Sequence, residues 1–142
     1  MPTDDSRRVL VADADPSARA RLCRIVEQAA KDASLKVVID QAADGTTAMA
    51  SWSERRPDLV VCEVLLPGVS GLALMRRMSA EQGSLPPVVL VTELTRESDR
   101  YWGLRNGAHA YVRKPYDDEG LAKRLRKALV DGAKAEPERL GP

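Results

Sequence analysis

Short apolar runs alternate along this chain with stretches whose apolar residues recur every three or four positions. Residues 9–12, 36–39, 59–62, 88–91 and 110–112 are runs of the first kind, rich in valine and too short for ordinary helices, and they predict strands. The intervening stretches predict helices. The first opens at Pro16, whose fixed φ suits a helical first turn, and Leu22, Ile25, Val26 and Ala29 give it one buried stripe. Residues 46–55 form the second, which ends before Pro57 because a residue ahead of proline disfavours the helical region. Residues 72–78 carry the third stripe, 96–106 the fourth helix with Gly107 as its stop, and 117–130 the fifth. Five strand–helix units in this order predict an α/β fold with a doubly wound parallel sheet and helices on both faces. Residues 9–131 make the domain, 1–8 an N-terminal arm, and the polar stretch 132–142 a flexible tail.

In an open parallel sheet, ligands collect beyond the carboxyl ends of the strands, where the strand order reverses. The residues in that place are Asp13, Ala14 and Asp15 after the first strand and Glu63 after the third. Thr92 and Glu93 follow the fourth strand, and Lys114 and Pro115 the fifth. Acids, a hydroxyl and a lysine are thereby predicted on one edge. The single carboxylate of Glu63, at the mouth of the apolar run LVVC, is the residue most in need of a purpose.

Composition narrows the function classes. With 142 residues, 44% of them hydrophobic and 30% charged, the chain suits one globular domain. A net charge of +1 supplies no global field to recruit nucleic acid. No apolar run approaches the roughly 20 residues of a membrane span, and the opening MPTDDSRR lacks a signal-peptide core. Cys23 and Cys62 fall in a helical and a strand pattern, so buried, reduced thiols are expected, and with them a cytoplasmic protein without membrane contact.

The segments VLVADADPSAR, ADGTTAM, PDLVVCEVLLPGVSG, VVLVTE and GAHAYVRKPY, in this order and spacing, resemble the receiver domain of two-component response regulators over about residues 8–130. The resemblance implies a flavodoxin-like (βα)5 fold. In such domains a histidine kinase donates a phosphoryl group to an aspartate ending the third strand, with Mg²⁺ held by nearby acids. Asp13 matches the first acid of that site, Thr92 the switch hydroxyl and Tyr111 the switch aromatic. Lys114 matches the lysine that pairs with the acceptor or its phosphate. Pro115 matches a proline whose preceding peptide bond is usually cis.

Three positions depart from the family pattern and imply an atypical, pseudo-receiver form. Ala14 falls where a second metal-site carboxylate belongs, while Asp15 matches a commonly acidic neighbour that is not a usual ligand. Glu63 replaces the acceptor aspartate. Glu93 replaces the small residue after the threonine. Mg²⁺ demands near-octahedral oxygens at about 2.0–2.1 Å, and Ala14 offers no side-chain oxygen. Glu63 is one methylene too long, and about 1 Å of misplacement can cost on the order of 10²-fold in rate. Glu63 is therefore expected to be a fixed anion opposite Lys114, either locking a signalling conformation or forming a plain ion pair beneath a binding surface. The alternative is a residual phosphoacceptor with weak Mg²⁺ binding at Asp13 and Glu63. The expectation is no cofactor and no enzymatic activity.

A rival enzyme reading starts from DADPS, which resembles the first motif of haloacid dehalogenase-type phosphatases, with Asp13 as nucleophile and Asp15 as acid/base. Lys114 and the pair Asp117 and Asp118 would complete it, but those two acids follow Lys114 by three residues and fit a helix start better. For binding, the resemblance points to the face of the fourth helix, fifth strand and last helix. That region holds Arg96, Arg100, Tyr101, Trp102, Leu104, His109 and Tyr111, followed by Lys123, Arg124, Arg126 and Lys127. Trp, Tyr and Arg dominate binding hot spots, although the basic residues are equally compatible with a solvated face. The expected partner is a signalling protein or histidine-kinase pathway component, met by a stand-alone monomer or weak homodimer. No nucleic-acid reader module is recognised.

Overall fold

Asp15, Asp44 and Asp117 each stop an extended segment and start a helix, their carboxylates accepting from the backbone N–H of Ser17, Thr47 and Gly120. The computed structural model describes residues 5–82, 85–132 and 137–138. Its elements run β1 (Ser6–Ala12), α1 (Pro16–Asp32), β2 (Lys36–Ala42), α2 (Gly45–Glu54), β3 (Leu59–Cys62), α3 (Gly71–Gln82), β4 (Val88–Thr92), α4 (Glu97–Arg105), β5 (Ala110–Arg113) and α5 (Asp118–Asp131). The strands form one parallel sheet in the order β2-β1-β3-β4-β5. Every predicted strand and helix is present, and the doubly wound fold is as anticipated.

Strand alternation divides the core in two. Leu10, Ala12, Val60, Cys62, Val88 and Leu90 face one side and pack with Trp52, Met75, Met78 and Leu104 of α2, α3 and α4. Val9, Val11, Leu59, Val61, Val89 and Val91 face the other, against Leu22, Ile25 and Val26 of α1 and Leu121, Leu125 and Leu129 of α5. β3 and β4 are buried along their whole length, as continuous apolar runs covered on both faces should be. Cys23 and Cys62 are buried free thiols, each made harder to ionise by burial.

Two strand boundaries move by three residues each. β1 begins at Ser6, so Ser6, Arg7 and Arg8 belong to the sheet rather than to an arm over 1–8, and β2 continues through Asp40 and Gln41 to Ala42. Charge pairing is the reason. Arg8 reaches Asp40 across the two strands at 2.8 Å, and Arg7 donates to the carbonyl of Leu129 at 2.9 Å, so polar residues extend the ladder. Residues 1–4 of the expected arm lie outside the described residues. Of the expected tail over 132–142, Gly132, Pro137 and Glu138 are described and the remainder lies outside. Among the described residues no helix is long and apolar enough to cross a membrane.

Candidate functional site

The sheet delivers the strand-end residues to one edge. Asp13 and Glu63 stand side by side because β1 and β3 are adjacent parallel strands, with Ala12 paired to Cys62. Both carboxylates are buried, at 3% and 4% exposure. Lys114, following β5, sends its ammonium 2.8 Å from Asp13 Oδ2 and 3.2 Å from Glu63 Oε1. One cation thus serves two buried acids. Burial alone would lower the lysine's pKa, but the hydrogen bond to Asp13 and the charges of Asp13 and Glu63 outweigh it and raise the value above 10.5.

Glu63 is held by more than the lysine. Its Oε1 also accepts from the Glu93 backbone N–H at 3.3 Å, and its Oε2 accepts from the Leu65 N–H at 3.1 Å. Thr92 is fully buried, and its hydroxyl oxygen accepts from the Leu94 N–H at 3.2 Å. The Leu94 carbonyl in turn accepts from the Tyr111 hydroxyl at 2.8 Å. The loop after β4 is therefore tied at consecutive residues, to Glu63, to Thr92 and to Tyr111. Tyr111 lies inward at 5% exposure, and its phenol is pushed up to about 12 by burial first and then by the charges of Asp99 and Glu63. The Lys114–Pro115 peptide bond is cis, as the resemblance implies.

Other anticipated residues take different places. Ala14 and Asp15 are exposed, and the Asp15 carboxylate is occupied as the cap of α1, so it does not join the pocket. Glu93 presents its side chain at the rim of a cleft of about 430 Å³ with Ala18, Arg21, Lys114, Pro115 and Tyr116. Asp117 caps α5, and Asp118 pairs with Arg21, which removes both from any set of acids around Asp13. Of the surface candidates, Leu104 is buried in the core rather than offered to a partner, because it packs beneath α4. Arg96, Tyr101, Trp102, Arg124 and Lys127 are exposed, with Tyr101 and Trp102 edge-to-face at 5.3 Å. His109 is partly buried, with its backbone N–H on the carbonyl of Val88.

Several contributors escaped the sequence. The N–H groups of Leu65 and Glu93 are main-chain donors with no side-chain signature. Arg19 fastens the loop after β1 by donating to the Asp13 carbonyl at 2.9 Å and to Gln41 at 3.1 Å. Gly103 lets the Tyr111 ring lie against α4, since a Cβ there would sit 2.8 Å from the ring. A glycine inside a helix, costly by about 1 kcal/mol, was the available clue.

Known proteins share this fold. The family model of the response regulator receiver domain matches residues 9–126. The chain belongs to that family. The protein PilH of Pseudomonas aeruginosa is 29% identical over 124 residues, covering 87% of this chain and 98% of PilH. The DNA-binding response regulator MtrA of Mycolicibacterium smegmatis is 34% identical over 123 residues, covering 87% of this chain but 50% of MtrA. A two-component response regulator of the LuxR family from Aurantimonas superposes with a TM-score of 0.75 at 26% identity, over 87% of this chain and 85% of that one. This receiver therefore belongs to two-component signalling.

Proposed function

We propose that this receiver acts as a phosphorylation-independent protein–protein interaction module, with Glu63 as a permanent anion in place of a phosphoryl group. The observation that carries the proposal is the filled coordination of Glu63, whose two oxygens already accept from Lys114 and from the Glu93 and Leu65 N–H groups. A backbone-and-lysine seat of this kind suits an oxyanion. The inward Tyr111, tied to the same loop, supports an active-like arrangement of the face above it.

The donor set does not fit Mg²⁺. Ala14 contributes no side-chain oxygen, Asp13 is engaged by Lys114 and by the Asp15 N–H, and both oxygens of Glu63 are taken. The protein's role on this reading is binding rather than catalysis, toward a signalling protein or a histidine-kinase pathway component.

Labelling with acetyl phosphate in millimolar Mg²⁺, read by intact mass, tests the proposal. We expect no phosphoryl adduct and no Mg²⁺-dependent rise in melting temperature, since a ligand binding the folded state would stabilise it as RT ln(1 + [L]/Kd). A stoichiometric adduct that disappears in Glu63→Gln would overturn it in favour of a working acceptor.

A further inference from the structure

Glu138, seven residues beyond the end of α5, returns to the receiver's α4–β5–α5 face and is clamped there. Arg100 of α4 places Nη2 at 2.6 Å and Nε at 3.0 Å from Glu138 Oε2. Arg124 of α5 places Nη1 at 2.7 Å from Oε1. The Glu138 backbone N–H donates to the carbonyl of His109, just before β5, at 2.7 Å. The side chain of this residue is only 22% exposed, although it lies outside every helix and strand.

Each of these contacts adds a constraint. Two guanidinium groups from different helices take both oxygens of one carboxylate, which selects an acidic residue and fixes its rotamer. The main-chain hydrogen bond to His109 fixes the path of the backbone as well. A carboxylate fork combined with a main-chain bond is how linear peptides are read. Pro137, directly before Glu138, restricts the chain and reduces the entropy lost on docking. Beside the clamp lies a cleft of about 370 Å³ whose lining includes Tyr111, Arg113 and Tyr116.

We propose that this face is a receptor for an acidic linear segment, held shut by the chain's own Glu138, which a partner's acidic segment must displace. Tethering makes the occupant a strong competitor, because a segment of the same chain meets the face at an effective concentration on the order of millimolar. A free peptide of moderate affinity is therefore excluded until the tether is released. The proposal does not rest on the role given to Glu63, and its test leaves that residue untouched.

The probe is a fluorescein-labelled peptide of residues 133–142, titrated by anisotropy into the full chain, into full-length Glu138→Ala, and into Glu138→Ala combined with Arg124→Ala. Glu138→Ala should bind the peptide about tenfold or more tighter than the wild type. Arg124→Ala should reverse that gain, and a peptide carrying Glu138→Gln should bind weakly to all three. Melting curves confirm that each variant is folded. In the unlabelled full chain, the Arg100 Nε–H resonance should move on Glu138→Gln, independently of any peptide. Equal peptide affinity for wild type and Glu138→Ala, or an Arg100 resonance unmoved by Glu138→Gln, overturns the proposal.

Discussion

At Lys114 one ammonium lies 2.8 Å from Asp13 and 3.2 Å from Glu63, two carboxylates that are almost wholly buried. Substitution with methionine keeps the stem but leaves two acids facing each other, so Lys114→Met should lower stability by about 1–3 kcal/mol at neutral pH. The lysine's pKa is raised on folding, so its contribution is complete below 10.5 and fades as pH rises through the higher folded value. The difference between wild type and Lys114→Met in urea melts should accordingly shrink in strong alkali. A neutral or stabilising effect at pH 7 would mean that water screens the acids without help. The three side chains of this pocket were legible in the sequence, because Asp13 and Glu63 each directly follow an apolar strand and Lys114 stands between the end of β5 and Pro115. Their main-chain partners were not, since the N–H of Leu65 or Glu93 is set by loop path and not by residue type. Asp15 looked like a pocket acid for the same reason that it makes a good cap, being a short carboxylate directly before Pro16.

Among the elements, α4 shows how a helix can be legible in place yet hidden in purpose. Its existence followed from the run ending at Gly107, and the central strands followed from unbroken valine and leucine. β1 and β2 were read too short, because the arginine and aspartate that lengthen them only make sense as a pair across the sheet. What α4 does depends on Gly103, where an added Cβ would lie 2.8 Å from Tyr111 Cδ2 and 3.0 Å from Leu90 Cδ1. Gly103→Ala gains about 1 kcal/mol of helix propensity, but overpacking costs roughly 1–3 kcal/mol. The expected outcome is a net loss of about 1 kcal/mol, with the ring displaced toward solvent. Its phenol, now raised to about 12 chiefly by burial, should then titrate closer to its ordinary value of 10.0. Ultraviolet difference titration, with Tyr111→Phe to identify the signal, reads this directly. An unchanged titration would show that the sheet absorbs the methyl and that α4 does not govern the ring.

Across the whole molecule, the pocket and the α4–β5–α5 face are joined by a short chain of contacts: Glu63 to the Glu93 N–H, the Leu94 N–H to Thr92, and the Tyr111 hydroxyl to the Leu94 carbonyl. A group biases a two-state element only by its differential interaction with the two states. About 5.5 kcal/mol separates a 99:1 population from 1:99, so about half of that brings 99:1 to parity. Removing the acceptor of two backbone N–H groups costs about 1–3 kcal/mol, which is of the required size. In Glu63→Ala, Lys114 still has Asp13 at 2.8 Å, so the domain should stay folded. The inward state of Tyr111 should lose its bias, and backbone amides of α4 and β5 should broaden through microsecond-to-millisecond exchange. Trp102→Ala, on the exposed side of α4, should leave those amides sharp while removing an exposed aromatic ring. Relaxation-dispersion NMR on the three proteins separates the two roles left open for Glu63. Exchange spreading through α4 and β5 in Glu63→Ala alone makes the glutamate a lock on the α4–β5–α5 face. Changes confined to Leu65, Glu93 and their neighbours would make it an ion pair that holds the sheet edge together and communicates nothing.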